Sequence, residues 1–294
     1  AVKKPSRGSS GNRWITAILR RHGRIDPEAA AAHRAFIRFE HPAPNDLWQM
    51  DFKGHFALAQ GRCHPLTVLD DHSRFAVGLQ ACGNERTPTV QQRLTEMFER
   101  YGLPRRMLMD NGPPFGAAGG SDYVPLTVWL IRLGVGVTHG RPYHPQTQGK
   151  DERFHRTLDV EVLRRHRLSD LSDCQAVFDR WRDVYNLERP HQALGMATPV
   201  SRYQPSARVF PSALPPIEYG TDDAVRKVQA GGEFHFRGGT YWAGKAFYGQ
   251  PVAVRPTTTE GGFDVFYCHQ RIGGINLQQP GRRVCEQISD ESQR

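Results

Sequence analysis

Three acidic residues in this 294-residue sequence stand where a carboxylate can do chemistry. Asp51 lies within a strand-like run of large apolar residues, where an ionised carboxylate must be paired or bind a metal. Asp110 directly follows the apolar run 107–109, and Glu152 stands in the first turn of a helix that begins at about Gly149. Three carboxylates that converge at one sheet edge form an oxygen cage suited to Mg²⁺ or Mn²⁺. Two such ions support in-line phosphoryl transfer, so the pattern predicts metal-dependent chemistry on phosphodiesters.

Ordinary structural explanations also exist for these acidic positions. Asp110 begins an Asp-Asn-Gly sequence, which favours a turn. Glu152 in a first helical turn interacts favourably with the positive end of the helix dipole. The adjacent residues Asp70 and Asp71 would point to opposite faces of a strand, so we interpret them as a strand end and turn rather than as a metal site.

The acidic residues fall on alternating strands and helices. Trp48, Met50 and Phe52 alternate with polar residues, which predicts a half-buried strand. Further strand-like runs, separated by turn residues, lead into segments with apolar residues at helical spacing. The resulting order β-β-β-α-β-α-β-α between Leu47 and Val162 predicts an α/β fold, a mixed sheet flanked by helices.

The charge distribution favours a polyanion as partner. The formal net charge is +9, from 39 Lys and Arg against 30 Asp and Glu. Residues 1–44 hold nine of the basic and three of the acidic residues. A basic arm of this kind is typical of nucleic-acid-binding proteins, although it also improves solubility.

The sequence predicts a soluble protein of a reducing compartment. No uncharged apolar run reaches the roughly 18 residues that a membrane span requires, and the N-terminus lacks a signal-peptide pattern. The five cysteines are odd in number, widely spaced and without a C-x-x-C motif. This usage favours free cytosolic thiols over a disulfide framework or a zinc finger.

Three segments together resemble the acidic blocks of the DDE integrase core. They are residues 45–54 (NDLWQMDFKG), 110–115 (DNGPPF) and 144–158 (HPQTQGKDERFHRTL). The sequence is most similar to IS481-type transposases of bacterial insertion sequences, in the retroviral-integrase-like superfamily. Residues 185–195 (YNLERPHQALG) with Thr198-Pro199 resemble the segment that follows the core in that family. The resemblance is strong over residues 45–199 and looser in the flanks.

The resemblance implies an RNase H-like core in which Asp51, Asp110 and Glu152 hold two Mg²⁺ (or Mn²⁺) ions. It also implies a polynucleotidyl transferase that cleaves element-end DNA with water and then joins the freed 3′-hydroxyl to target DNA. Strand transfer joins two DNA ends to one target. The expected partners are therefore double-stranded DNA (element ends and target) and at least a second copy of the chain, in the bacterial cytoplasm at the nucleoid.

Residues near Glu152 are candidates for DNA contacts. Positions 149, 152, 153 and 156 share one face of the predicted helix, so the arginines there flank the metal site. The candidates are Lys150, Arg153, His155 and Arg156 on the helix and Tyr143, His144, Gln146 and Gln148 in the preceding loop. The cations would hold phosphates, and Tyr143 and His144 would insert toward unpaired bases at a processed end. A solvated basic helix face is the alternative.

The chain is predicted to divide into five parts. They are a helical arm and linker at 1–44, read as the tail of a helix-turn-helix region; the catalytic core with a five-stranded mixed sheet at 45–204; a Pro-rich linker at 205–225; a small SH3-like β-barrel at 226–285; and a tail at 286–294. The barrel carries basic residues that are candidates for contact with DNA or another protomer: Arg226, Lys227, Arg237, Lys245, Arg255 and Arg271.

Two other functions stay open at this point. A nuclease of the same fold would hydrolyse DNA without transferring strands, and the barrel and basic arm argue against it. A DNA-binding protein that has lost activity would keep only the fold, and the presence of all three carboxylates argues against that.

Overall fold

The computed structural model describes residues 21–22, 40–116, 123–140, 149–278 and 284. The chain forms two compact units, Ala1–Phe39 and Glu40–Arg294. Most of the predicted helical arm lies outside the described residues, as do the loop candidates Tyr143, His144, Gln146 and Gln148. Within the described part, no helix has the length and apolar character needed to cross a membrane.

A mixed sheet forms the centre of the larger unit. Its strands are β1 (Leu47–Phe52), β2 (Phe56–Ala57), β3 (Arg62–Asp70), β4 (Ala76–Cys82), β5 (Arg106–Met109) and β6 (Gly136–His139). The strands pair in the order β2-β3-β1-β5-β6, and β4 pairs with β3. β3 is antiparallel to β1 and β4, whereas β1, β5 and β6 are parallel. The predicted mixed sheet is confirmed, and it has six strands rather than five because the two-residue strand β2 also pairs with β3.

Helices cover the sheet. In the described part the α-helices are α1 (Thr87–Tyr101), α2 (Pro125–Arg132), α3 (Gly149–Leu158) and α4 (Leu171–Asp183). Pro88 stands in the first turn of α1, where its missing N–H costs no hydrogen bond. Asp170 caps α4 by accepting a hydrogen bond from the Asp173 N–H at 2.9 Å. One π-helical turn, Asp159–Leu163, follows α3 directly.

The alternation of side chains along β1 creates two different faces. Trp48 and Met50 are buried in an apolar cluster that includes Phe98 of α1. The opposite face is covered by a second cluster that includes Phe154 of α3 and Phe178 of α4. Because successive strand residues point to opposite faces, the polar residues of β1 point toward α3.

Side-chain amides occupy both edges of the core sheet. On β4, Asn186 accepts a hydrogen bond from the Ala76 N–H at 2.7 Å and donates one to the Ala76 carbonyl at 3.1 Å. Further along the strand, Gln175 accepts a hydrogen bond from the Ala81 N–H and donates one to the Leu79 carbonyl. On β6, Gln270 accepts from the Val137 N–H at 3.0 Å and donates to its carbonyl at 3.3 Å. These amides replace a neighbouring strand and protect the edges from pairing with another chain.

The C-terminal strands form two sheets. The first is a four-stranded antiparallel sheet of β7 (Ala224–Lys227), β10 (Pro251–Pro256), β11 (Gly262–Tyr267) and β12 (Gln270–Asn276). Its strands pair in the order β12-β11-β10-β7. The second is a hairpin of β8 (Glu233–Phe236) and β9 (Gly239–Trp242). Val284 links the sheets by donating to the Trp242 carbonyl and accepting from the Gly274 N–H. Among the described strands, β8 and β9 pair only with each other, so the predicted SH3-like β-barrel is not confirmed as a closed barrel.

Candidate active site

Asp51 and Asp110 lie on neighbouring parallel strands at the same level. The pairing of β1 with β5 places Gln49 beside Leu108. Continuing this register by two residues places Asp51, near the end of β1, beside Asp110, which directly follows β5. Residues at equivalent positions of parallel strands project to the same face of a sheet. The structure therefore brings these two predicted site residues together.

The electrostatic environment disfavours the ionised form of both carboxylates. Burial, followed by the nearby charge of Asp110 and a smaller contribution from Glu85, raises the pKa of Asp51 to about 7. Burial also raises the pKa of Asp110, although a hydrogen bond from the Gly112 N–H opposes this shift. Two half-buried carboxylates that repel each other are a suitable place for a cation, which would relieve the repulsion.

The turn after β5 fixes the position of Asp110. Its carboxylate accepts a hydrogen bond from the Gly112 N–H at 3.2 Å, and its carbonyl accepts one from His139 Nδ1 at 2.7 Å. The Asn111 side chain donates to the Gly140 carbonyl at 2.7 Å. The turn chemistry of Asp-Asn-Gly and a functional role for Asp110 are thus compatible, because the turn itself orients the carboxylate.

Glu152 lies in the first turn of α3, and its side chain is exposed. Its neighbour Asp151 is buried, with 4% of its surface exposed. Burial, followed by the charges of Asp51 and Asp71, raises the pKa of Asp151 well above its usual range. Among the described residues, no three His, Cys, Asp or Glu side chains converge closely enough to hold a metal ion. Asp51 and Asp110 therefore lie together. Glu152 lies on the adjoining helix and does not complete a three-residue metal site with them in the described part of the chain.

Lys150, a predicted DNA contact, is engaged inside the protein. Its ammonium donates a hydrogen bond to Asp71, and 19% of the Lys150 side chain and none of the Asp71 side chain is exposed. Asp71 also accepts hydrogen bonds from the His41 N–H at 2.8 Å and from Gln49 Nε2 at 2.6 Å. Burial lowers the pKa of Lys150, and the Asp71 charge opposes this shift. The pair ties the start of α3 to the turn after β3, and a DNA contact by Lys150 stays a prediction.

Asp70 organises the same turn. Its carboxylate accepts hydrogen bonds from the backbone N–H groups of Asn45 at 2.7 Å and Ser73 at 2.8 Å, and from the Ser73 hydroxyl at 2.5 Å. Asp70 is also the last residue of β3. The interpretation of Asp70 and Asp71 as a strand end and turn is confirmed, because internal partners occupy both carboxylates.

The remaining candidates on α3 differ in their exposure. Arg153 and Arg156 are exposed. His155 is half-buried, with its Nε2 2.8 Å from the Thr67 hydroxyl and its Nδ1 4.0 Å from Asp51 Oδ2. Thr67 belongs to no sequence motif and is marked only by its register position opposite Asp51 on β3.

The basic residues of the C-terminal sheets fall into two groups. Arg255 pairs with Asp223 at 2.7 Å, and Arg271 pairs with Asp264 at 2.7 Å. Arg226, Lys227, Arg237 and Lys245 are exposed, and so is Arg271 despite its ion pair. Internal ion pairs therefore already partly neutralise the predicted basic surface.

The segment 185–195 supports the core. Asn186 completes the edge of β4, Arg189 pairs with Glu161, and the rings of Tyr185 and His191 are in edge contact with centroids 4.7 Å apart. Through these contacts, the segment packs against the core.

Comparisons with known proteins agree with this architecture. Models of the integrase core domain match residues 41–145 and 133–199, and a model of the IS481 family transposase C-terminal domain matches residues 223–282. A 31.7 kDa protein of insertion element IS407 from Burkholderia multivorans is 30% identical over 158 residues, which are 53% of this chain and 54% of that protein. A 39.2 kDa protein of insertion element IS476 from Xanthomonas euvesicatoria is 29% identical over 156 residues, 53% of this chain and 43% of that protein. The chain spans about half the length of these relatives.

The catalytic core domain of BIV integrase is similar at 25% sequence identity and a TM-score of 0.40, over 53% of this chain and 92% of that chain. The two integrase core models together match residues 41–199, more than half of the chain, and this region contains Asp51, Asp110 and Glu152. The chain therefore belongs to the integrase core family and carries the C-terminal domain of the IS481 family transposases.

Proposed function

We propose that this protein is a DDE transposase that cleaves the 3′ ends of an insertion element and transfers the freed strands to target DNA. The observation that carries the proposal is the side-by-side placement of Asp51 and Asp110, through the β1–β5 register, inside an integrase core. The catalytic residues would be Asp51, Asp110 and Glu152.

Mg²⁺ or Mn²⁺ would bind at this triad. The Asp51–Asp110 pair fits a hard divalent cation, because both groups are oxygen ligands whose mutual repulsion a cation would relieve. Glu152 precedes His155 by three residues, so the two residues lie on the same side of α3. His155 Nδ1 on this side lies 4.0 Å from Asp51 Oδ2. When bound, two ions would activate the attacking oxygen and stabilise the leaving oxygen of the phosphodiester.

The protein's own residues would bind and orient the DNA. Arg153 and Arg156 are exposed on the helix that bears Glu152, where guanidinium groups can contact phosphates beside the scissile bond. Strand transfer joins two ends to one target, so we propose that at least two copies of the chain assemble on double-stranded DNA.

A nicking and strand-joining assay on labelled duplex DNA with Mg²⁺ or Mn²⁺ tests this function. Wild type should give joined products, Glu152→Gln should give none, and Glu99→Gln, which changes an exposed glutamate on α1, should behave as wild type. Cleavage without joining would instead support the nuclease. DNA binding without any metal-dependent product would support the inactive binding protein.

A further inference from the structure

A small cleft lies where the chain leaves β1, beside the candidate catalytic carboxylates. Lys53 directly follows β1, and its N–H donates to the Pro65 carbonyl of β3 at 3.0 Å, so the chain is still paired there. In an extended chain, residues two apart point to the same face and are separated by about 7 Å. Asp51 and Lys53 therefore face the same side of the sheet. Gly54, with a φ of 84°, then turns the chain away.

Two successive contacts join this part of the sheet to α3 and the π-helical turn that follows it. His155 Nδ1 lies 4.0 Å from Asp51 Oδ2, and Asp159 Oδ1 lies 3.5 Å from Lys53 Nζ. Residues 155 and 159 are four positions apart, a rise of about 6 Å along a helix, which matches the step from Asp51 to Lys53. The separation between the Asp51 carboxylate and the Lys53 ammonium is thus similar to that of neighbouring phosphates in one DNA strand.

The cleft has positive charge in excess. Its charged lining residues are Lys53, Arg164 and Asp159. Arg164 Nε donates to Asp159 Oδ2 at 2.6 Å, whereas Lys53 Nζ is 3.5 Å from Asp159 Oδ1, longer than a usual hydrogen bond. One carboxylate between two cations leaves one positive charge over. The Lys53 ammonium has three N–H donors and 20% of its side chain is exposed, so it can also reach a phosphate oxygen.

The other walls of the cleft are apolar and aromatic. Its volume is about 270 Å³, and Phe56, Pro65 and Leu163 line it beside the charged groups. The exposed ring of His55 also lines it. Such a cleft has room for a single nucleobase, and aromatic side chains stack on any base because every base has a π-face. A base can enter only after it has left the duplex stack.

We infer that this cleft binds one unpaired nucleotide next to the scissile phosphodiester, with its base against Phe56 and Leu163 and its phosphate at Lys53. The inference rests on the proposed function, which supplies DNA as the ligand and puts the scissile phosphodiester at Asp51 and Asp110. It adds Lys53 and the π-helical turn to the DNA-binding surface. Because unpairing a base costs free energy, the cleft should favour DNA that is already unpaired at this position.

A pair of DNA duplexes tests the cleft by binding in EDTA, where no cleavage intervenes. One duplex is fully paired, and the other carries one bulged thymine. Wild type should bind the bulged duplex about tenfold more tightly, the size of one stacked base. Leu163→Trp fills the cleft and should remove this preference, whereas Leu187→Trp, at a residue that is 53% exposed outside the cleft, should keep it. Equal affinity of wild type for the two duplexes, or a preference that survives Leu163→Trp, would overturn the inference.

Lys53→Ala should affect the phosphate rather than the base. Both duplexes should bind more weakly, with the slope of log affinity against log salt reduced by about 1, and the preference for the bulged duplex should remain. A wild-type slope in Lys53→Ala would contradict the phosphate contact. Thermal unfolding midpoints equal to that of wild type would show that the variants are folded.

Photocrosslinking locates the base directly and needs neither activity nor a variant. Iodouracil in place of the bulged thymine should crosslink to Phe56 or His55 of the wild-type protein, as mapped by mass spectrometry of the peptides. Crosslinks that fall only outside the cleft would refute the inference. Absence of strand joining by wild type would contradict the proposed function instead, while the binding preference and the crosslink would still decide whether the cleft takes an unpaired nucleotide.

Discussion

Lys150, at the start of α3, donates a hydrogen bond to the buried carboxylate of Asp71, 79 residues earlier in the chain. The same helix carries Glu152, and Asp71 lies in the turn next to the sheet that carries Asp51. The ion pair therefore fixes the start of α3 relative to the strands of the candidate site.

Breaking this pair should destabilise the protein. Lys150→Met leaves the Asp71 charge buried without its cation, so the free energy of unfolding should fall by about 3 kcal/mol in urea denaturation. The double variant Lys150→Met/Asp71→Asn should lose less, because no uncompensated charge remains. If the single variant unfolds at the same urea concentration as wild type, the pair does not anchor the helix.

The raised pKa of Asp51 predicts a pH-dependent penalty in the metal-free protein. The folded state favours the protonated carboxyl, so the stability that Asp51 contributes is fully present below pH 3.8 and is lost as the pH rises through about 7. Asp51→Asn should therefore be more stable than wild type by about 4 kcal/mol at pH 8, and the difference should disappear near pH 4. Urea unfolding in EDTA measures this. A gain that does not depend on pH, or the same gain in Asp183→Asn at an exposed site, would contradict the explanation.

Divalent metal should offset part of that penalty. At a free Mg²⁺ or Mn²⁺ concentration ten times the dissociation constant, binding to the folded state adds about 1.4 kcal/mol to stability. The thermal unfolding midpoint of wild type at pH 8 should rise with the metal concentration, whereas Asp51→Asn and Asp110→Asn should not respond. An equal response in all three proteins would place the metal elsewhere.

The amide of Asn186 should be important for stability rather than for catalysis. Asn186→Ala leaves the N–H and carbonyl of the fully buried Ala76 without their partner, which should cost about 2–4 kcal/mol. Gln192→Ala, at an exposed position nearby, should unfold like wild type. DNA cleavage per folded molecule should remain at the wild-type level in both variants.

The exposed arginines of α3 should contribute to the salt dependence of DNA binding. Arg153→Ala and Arg156→Ala should each weaken binding and reduce the slope of log affinity against log salt by about 1, the value for one phosphate contact. Arg167→Ala, an exposed arginine outside α3, is the matched control and should keep the wild-type slope. Unchanged slopes in all three variants would place the DNA away from α3.

Local patterns in the amino-acid sequence are enough to predict the elements that carry the candidate site. The alternation of Trp48, Met50 and Phe52 with polar residues, the apolar run before Asp110 and the helical spacing after Gly149 are local patterns. Each pattern depends on the backbone geometry of a single strand or helix. The mixed sheet with flanking helices, and the elements that position Asp51, Asp110 and Glu152, could therefore be predicted.

The pairing of the elements and the contacts between distant side chains become visible in the folded chain. The spacing of glycines marks where C-terminal strands end but not which strands share hydrogen bonds, so a closed barrel was expected where two sheets are present. In the same way, the contacts of Lys150 with Asp71 and of His155 with Thr67 join residues about 80–90 positions apart. Such contacts depend on strand register and helix packing, which local periodicity does not specify.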